Sequence, residues 1–172
     1  MLKKLHCWRH LANALIPAAL LLAGLSASAA ELAGKVVRVA DGDTITVLDA
    51  SKTQHRIRMT GIDAPESSQA FGNRSRQSLA DLVAGKQVTV RWDEQDRYGR
   101  ILGQVVTPEG QDANLAQVQR GMAWHYAQYA KTRPAAESRA YAAAQQQAQG
   151  QKVGLWQDKE PTPPWEWRKQ AR

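Results

Sequence analysis

The sequence predicts an α+β fold: a small antiparallel barrel of five strands with three helices packed on one side. Three observations carry this. Short segments of alternating apolar and polar residues recur five times, at lengths that suit strands. The first three follow one another directly, and a segment with helical spacing separates them from the last two. Two further helical segments lie beyond.

Gly34–Leu48 reads as two strands around a turn. Val37 and Val39 precede Asp41-Gly42-Asp43, and Ile45 and Val47 follow, alternating with Thr44 and Thr46. An Asp-Gly pair between two alternating runs is a strong hairpin signal. Gln54–Thr60 is the third strand, with Ile57 and Met59 on one face and Arg56, Arg58 and Thr60 on the other. The loop Gly61–Gln69 contains Asp63-Ala64-Pro65-Glu66. Phe71, Ser75, Ser78, Leu79, Leu82 and Val83 then share one helical face, and Gly85 stops the run. Gln87–Trp92 is the fourth strand, Asp93–Gly99 a polar loop and Arg100–Val106 the fifth strand. After the turn Thr107–Gly110, Asp112 caps a short helix carrying Leu115 and Val118 and ended by Gly121. Pro134 suits the first turn of an alanine-rich helix reaching about Gln149. The segment 155–172, with three prolines and three tryptophans, reads as irregular.

Composition limits the function. The chain has 172 residues, 43% hydrophobic and 6% aromatic, which excludes wholesale disorder. No apolar run approaches the ~20 residues of a membrane span, which excludes a polytopic membrane protein. The single Cys7 excludes a disulfide framework and a cysteine zinc site.

Residues 1–30 have the order of a secretory signal: Lys3, Lys4 and Arg9, an apolar stretch from Leu11 to Leu25, then Ser26-Ala27-Ser28-Ala29-Ala30. Cleavage is expected after Ala29 or Ala30; the competing reading is an uncleaved N-terminal anchor. The mature chain would carry 20 Lys+Arg against 16 Asp+Glu, a net charge of +4, and no cysteine. It would insert in no membrane, act as a monomer and reside in the periplasm or the medium. Its modest positive charge suits an anionic partner such as nucleic acid. The expected division is 1–30 signal, 31–157 domain and 158–172 tail.

The chemistry is expected of carboxylates and arginines. Asp41, Asp43, Asp63 and Glu66 lie at strand ends, where oxygen ligands can converge on a hard divalent cation. Each motif alone is also an ordinary polar turn. Arg58 and Arg100 carry permanent charge in the fork geometry that matches phosphate. Such a set suits phosphodiester hydrolysis. His55 and His125 read as bystanders.

Asp41-Gly42-Asp43-Thr44, Arg58, Ile62-Asp63-Ala64-Pro65-Glu66 and Tyr98-Gly99-Arg100, in that order, resemble the staphylococcal nuclease (thermonuclease) family over about residues 34–157. The resemblance implies a five-stranded OB-fold barrel with three helices. It implies Asp43, Asp63 and the main-chain carbonyl of Ala64 as Ca²⁺ ligands. Ala64 stands where the staphylococcal enzyme has threonine, so a hydroxyl near the metal is lost. Asp41 matches an acidic residue near the metal. Glu66 would act as general base or position the attacking water. Arg58 and Arg100 would hold the scissile phosphate; a guanidinium with pKa above ~12 is a poor acid, so Arg100 is assigned charge stabilisation. Tyr126 and Tyr129 would stack on bases. The implied substrates are DNA and RNA, single strands favoured, with 3′-phosphate products. Trp156 would be a packing anchor. The alternatives are a non-catalytic nucleic-acid-binding OB-fold module and an interaction or inhibitor domain on the same scaffold.

Overall fold

The computed structural model describes residues 30–128 and 134–170. Five strands form a closed barrel: β1 (Ala30–Val39), β2 (Thr44–Asp49), β3 (Gln54–Met59), β5 (Gln87–Gln95) and β6 (Ile101–Val106). A two-residue strand β4 (Ile62–Asp63) pairs outside the barrel with β7 (Trp124–His125). The helices are α1 (Gly72–Val83), α2 (Ala113–Gln119), α3 (Ala135–Gly150) and α4 (Pro164–Gln170), with a 3-10 turn at Gly154–Gln157.

The barrel order is β1-β2-β3-β6-β5, with β1 pairing with β5 to close it. The expected all-antiparallel barrel is corrected at one seam. β3 runs parallel to β6, Ile57 opposite Ile101 and Met59 opposite Gly103. A crossover through α1 and β5 makes that pairing possible, as parallel neighbours require a long connection. The period-2 pattern is as predicted in the later strands, where Ile45, Val47, Ile57, Met59, Val88, Val90, Ile101 and Val105 are buried. In β1 it is corrected, because Val36 and not Val37 faces the core, with a bulge between Val36 and Arg38 shifting the register. Leu79, Leu82 and Val83 of α1 join the same core, as do Ala113, Ala116 and Val118 of α2. The Asp112 side chain caps α2, accepting from Leu115 N–H at 3.1 Å.

Two other readings are corrected. The loop expected from Asp93 begins only after Gln95, because β5 continues past a bulge between Trp92 and Glu94 to pair with β6. The segment expected to be irregular holds the 3-10 turn and a fourth helix, with Pro164 at its first position, where the missing N–H costs nothing. Leu155 and Trp156 are buried against Ala148, so Trp156 is the packing residue expected.

Gly42 is not the left-handed turn glycine that an Asp-Gly hairpin demands; the positive-φ glycines are elsewhere, at Gly61, Gly85 and Gly99 among others. What it provides is room: a Cβ there would lie 1.8 Å from Ser75 Oγ and 2.7 Å from Ala64 Cβ. Helix α1 therefore packs directly on the strand entrance that carries Asp43. The buried Gln117 side chain of α2 holds the same place, donating to Gly42 O at 2.9 Å and Ser75 O at 3.1 Å.

Candidate active site

One cleft of about 640 Å³ opens at a mouth of the barrel. Asp43, Arg58, Asp63, Glu66, Arg100 and Tyr126 all line it. Asp43 stands just before β2, and its backbone carbonyl accepts from Met59 N–H on β3 at 2.8 Å. Its side chain is buried; Oδ2 accepts from Ala64 N–H at 2.7 Å and Oδ1 from the Thr44 hydroxyl at 3.1 Å. Asp41 supports the turn, accepting from Asp43 N–H at 3.0 Å.

Arg58 lies opposite Thr44 in the β2–β3 ladder, so its side chain reaches the same mouth. One terminal nitrogen donates to the carbonyls of Met59 (2.6 Å) and Ile62 (3.0 Å). The other sits 2.8 Å from Asp63 Oδ1 and 3.2 Å from Asp43 Oδ2. Both aspartates therefore converge on one guanidinium. Asp63 is placed by β4, whose ladder sets it opposite Trp124. Glu66 follows in the loop. Helix α1 begins hard against it, since a Cβ on Gly72 would lie 2.0 Å from Glu66 O.

Burial pushes the Asp43 carboxyl well above the usual carboxylate range. Arg58 opposes this, Asp41 and Asp63 add to it, and the Ala64 N–H opposes it. A buried acid among other acids is favoured in its charged form only beside strong positive charge. The donor set that Asp43, Asp63 and the Ala64 carbonyl would offer is all oxygen, which fits a hard divalent ion completed by water. Among the described residues, no group of three or more His, Cys, Asp and Glu side chains is arranged to hold a metal by itself.

Arg100 stands in the same cleft but outside this cluster. Its Nε donates to Asp96 Oδ2 at 2.8 Å, and Asp96 Oδ1 accepts the backbone N–H groups of Tyr98 and Arg100 at 2.9 Å each. Partial burial raises the Asp96 acid, but hydrogen bonds from Arg100 and Tyr98 outweigh it and hold the carboxyl below its ordinary value. Tyr98 is 65% exposed, with Arg97 over its ring at 4.8 Å. Tyr126 donates its N–H to Gly61 O at 2.9 Å and packs its ring 5.3 Å from Trp165. Tyr129 lies outside the described residues. His55 pairs with Asp49 at 2.8 Å in the β2–β3 hairpin, away from the cleft.

Sequence reasoning misses two residues that hold the site's own side chains in place. Asp96 is the anchor of Arg100, and its only signal is the Asp four residues before an Arg in a turn. Arg168 of α4 reaches Asp63 Oδ2 and Glu66 Oε1 at 2.7 Å each. A lone arginine in a Pro/Trp-rich segment carries no such signal.

Fold and cluster together define an OB-type barrel bearing a carboxylate–arginine site at its mouth. The family model for staphylococcal nuclease homologues matches residues 56–158. A protein of Escherichia coli named an uncharacterized endonuclease is 47% identical over 153 residues, covering 89% of this chain and 95% of its own. The micrococcal nuclease of Shigella flexneri is 44% identical over 151 residues, 83% of this chain and 84% of its own. Protein ParB of Escherichia coli is 43% identical over 150 residues, 83% and 82% of the two chains. The chain belongs to the staphylococcal nuclease family.

Proposed function

We propose that the chain is a Ca²⁺-dependent phosphodiesterase that hydrolyses DNA and RNA, favours single strands and leaves 3′-phosphate ends. The observation that carries this is the convergence of Asp43, Asp63 and Arg58 beside Glu66, with Arg100 across the same cleft. A bound Ca²⁺ would act as a Lewis acid on the phosphate and help orient water. Asp43, Asp63 and the Ala64 carbonyl would hold it. Glu66 takes or orients the proton of the attacking water. Arg58 and Arg100 stabilise the charge that builds on the phosphoryl oxygens. Arg100 suits that task because Asp96 fixes its guanidinium before substrate arrives. Tyr126 and Tyr129 offer faces on which bases stack without regard to sequence.

The same reading places residues 1–30 as a signal and the mature protein in the periplasm or the medium as a monomer. Among the described residues, no helix is long and apolar enough to cross a membrane. The test uses the chain from Ala30 with denatured DNA, in Ca²⁺ or chelator, with end groups scored. Ca²⁺-dependent cleavage leaving 3′-phosphates is expected. DNA binding without cleavage would make the protein a non-catalytic binding module instead.

A further inference from the structure

The last helix brings a second guanidinium onto the acids of the cleft. Arg168 spans two carboxylates. One terminal nitrogen lies 2.7 Å from Glu66 Oε1 and 3.3 Å from Asp63 Oδ1, and the other 2.7 Å from Asp63 Oδ2. With Arg58 on Asp63 Oδ1, both oxygens of Asp63 carry a cationic donor.

The two arginines are built differently. Arg58 rises from a barrel strand, is 18% exposed at its side chain and spends two further hydrogen bonds on the carbonyls of Met59 and Ile62. It cannot leave without breaking the barrel mouth. Arg168 is 42% exposed, and it stands on a helix of seven residues. A helix that short is unstable alone, so α4 persists only through what it docks on. It is held by the buried Pro164 at its start, by Gln69 Nε2, which donates to Thr162 O just before it, by Trp165, whose ring lies edge-on to Trp124 at 5.6 Å and against Tyr126 at 5.3 Å, and by Arg168 on Asp63 and Glu66.

We propose that Arg168 is a tethered competitor for the cation of this site: α4 closes over Asp63 and Glu66, and a divalent cation and α4 displace each other. The inference rests on the metal reading given above. With Arg58 on Oδ1 and Arg168 on Oδ2, neither oxygen of Asp63 is without a cationic partner, and Arg168, the more exposed of the two, is the one an incoming cation would displace. Two positive charges within a few ångströms also repel strongly where water is sparse. The tether keeps the competing charge at high local concentration, so a weak contact competes well. Closure also occupies Glu66, so the docked helix masks a ligand and the proposed base together.

Calorimetric Ca²⁺ titration tests this on the chain from Ala30 and its Arg168→Ala form. Because coupling between two ligands is reciprocal, two results are expected. Arg168→Ala binds Ca²⁺ about tenfold more tightly, and Ca²⁺ speeds amide exchange across residues 164–170 of the unmutated protein. The second measurement needs no variant. Equal or weaker Ca²⁺ binding by Arg168→Ala, or α4 exchange untouched by Ca²⁺, overturns the proposal. Asp43→Asn separates this from the broader reading. If it abolishes Ca²⁺ binding while Arg168→Ala changes nothing, the metal site stands and the competition falls. If neither the unmutated protein nor Arg168→Ala binds Ca²⁺, both fall.

Discussion

Replacing Gly42 with alanine adds one methyl group at the entrance of β2. That methyl would lie 1.8 Å from Ser75 Oγ, 2.7 Å from Ala64 Cβ and 2.8 Å from Ser75 Cβ, all closer than van der Waals contact allows. Ser75 cannot simply rotate away. Its hydroxyl donates to Met122 O at 2.6 Å, and the residue is completely buried. Overpacking of this kind costs about 1–3 kcal/mol. Orphaning the Met122 carbonyl adds about 1 kcal/mol or more. We expect a loss of about 3 kcal/mol, which for a domain of this size lowers Tm by about 10 °C. Thermal unfolding followed by circular dichroism measures it. The double change Gly42→Ala with Ser75→Ala should restore only part of the loss, because the clash with Ala64 remains. Asp43 follows Gly42 directly, so the Ca²⁺ needed for half-maximal cleavage should rise as well. A Tm within about 2 °C of the parent, with an unchanged Ca²⁺ requirement, would refute the claim that α1 packing positions the acid.

Glu66→Gln should keep the parent Tm and lower turnover by about 10²–10⁴, measured as initial rates on denatured DNA; parent-like turnover would remove Glu66 from the proposed chemistry. Asp43→Asn should raise the Ca²⁺ needed for half-maximal rate, and an unshifted Ca²⁺ titration would strike Asp43 from the ligand set. Asp96→Asn releases Arg100, so it should lower cleavage of saturating substrate while leaving Ca²⁺ affinity alone. Its stability effect depends on pH with a definite sign. The Asp96 carboxyl is held low in the folded state, so its contribution is fully present above the unfolded value of about 3.9 and is lost as pH falls through the lower folded value. Urea melts of parent and variant should therefore differ at pH 7 and converge under acid conditions; a gap that persists in acid would contradict this.

The barrel strands are legible because their inner faces alternate cleanly, as in Ile57 and Met59 against Arg56 and Arg58. Where alternation fails, so does the reading. Asp93, Glu94 and Gln95 are exposed on both faces of β5, and nothing in their polarity separates strand from loop. The parallel β3–β6 seam leaves no local trace, since pairing direction depends on a crossover and not on any residue. Gly42 shows the reverse case. Asp-Gly signals a turn correctly, but the physical demand for glycine comes from Ser75, more than thirty positions away. Site residues on the barrel are found because four short motifs fall at strand ends in order. Arg168 reaches Asp63 through a fold in the chain spanning 105 residues, which no spacing argument detects.

The closure of the barrel has a kinetic consequence. β1 pairs on one side with its neighbour β2 and on the other with β5, where Glu31 lies opposite Arg91. Its second edge stays bare until β5 exists, and the ring is complete only when β6 joins β3 to β5. A nascent chain therefore carries unpaired strands for most of its synthesis and reaches its native topology late. Pairings of such high sequence separation place folding in the slow, millisecond-to-second range of small domains. Until β5 and β6 are made, the open edges of β1 and β3 are free to pair with other chains, a hazard that ring closure then removes.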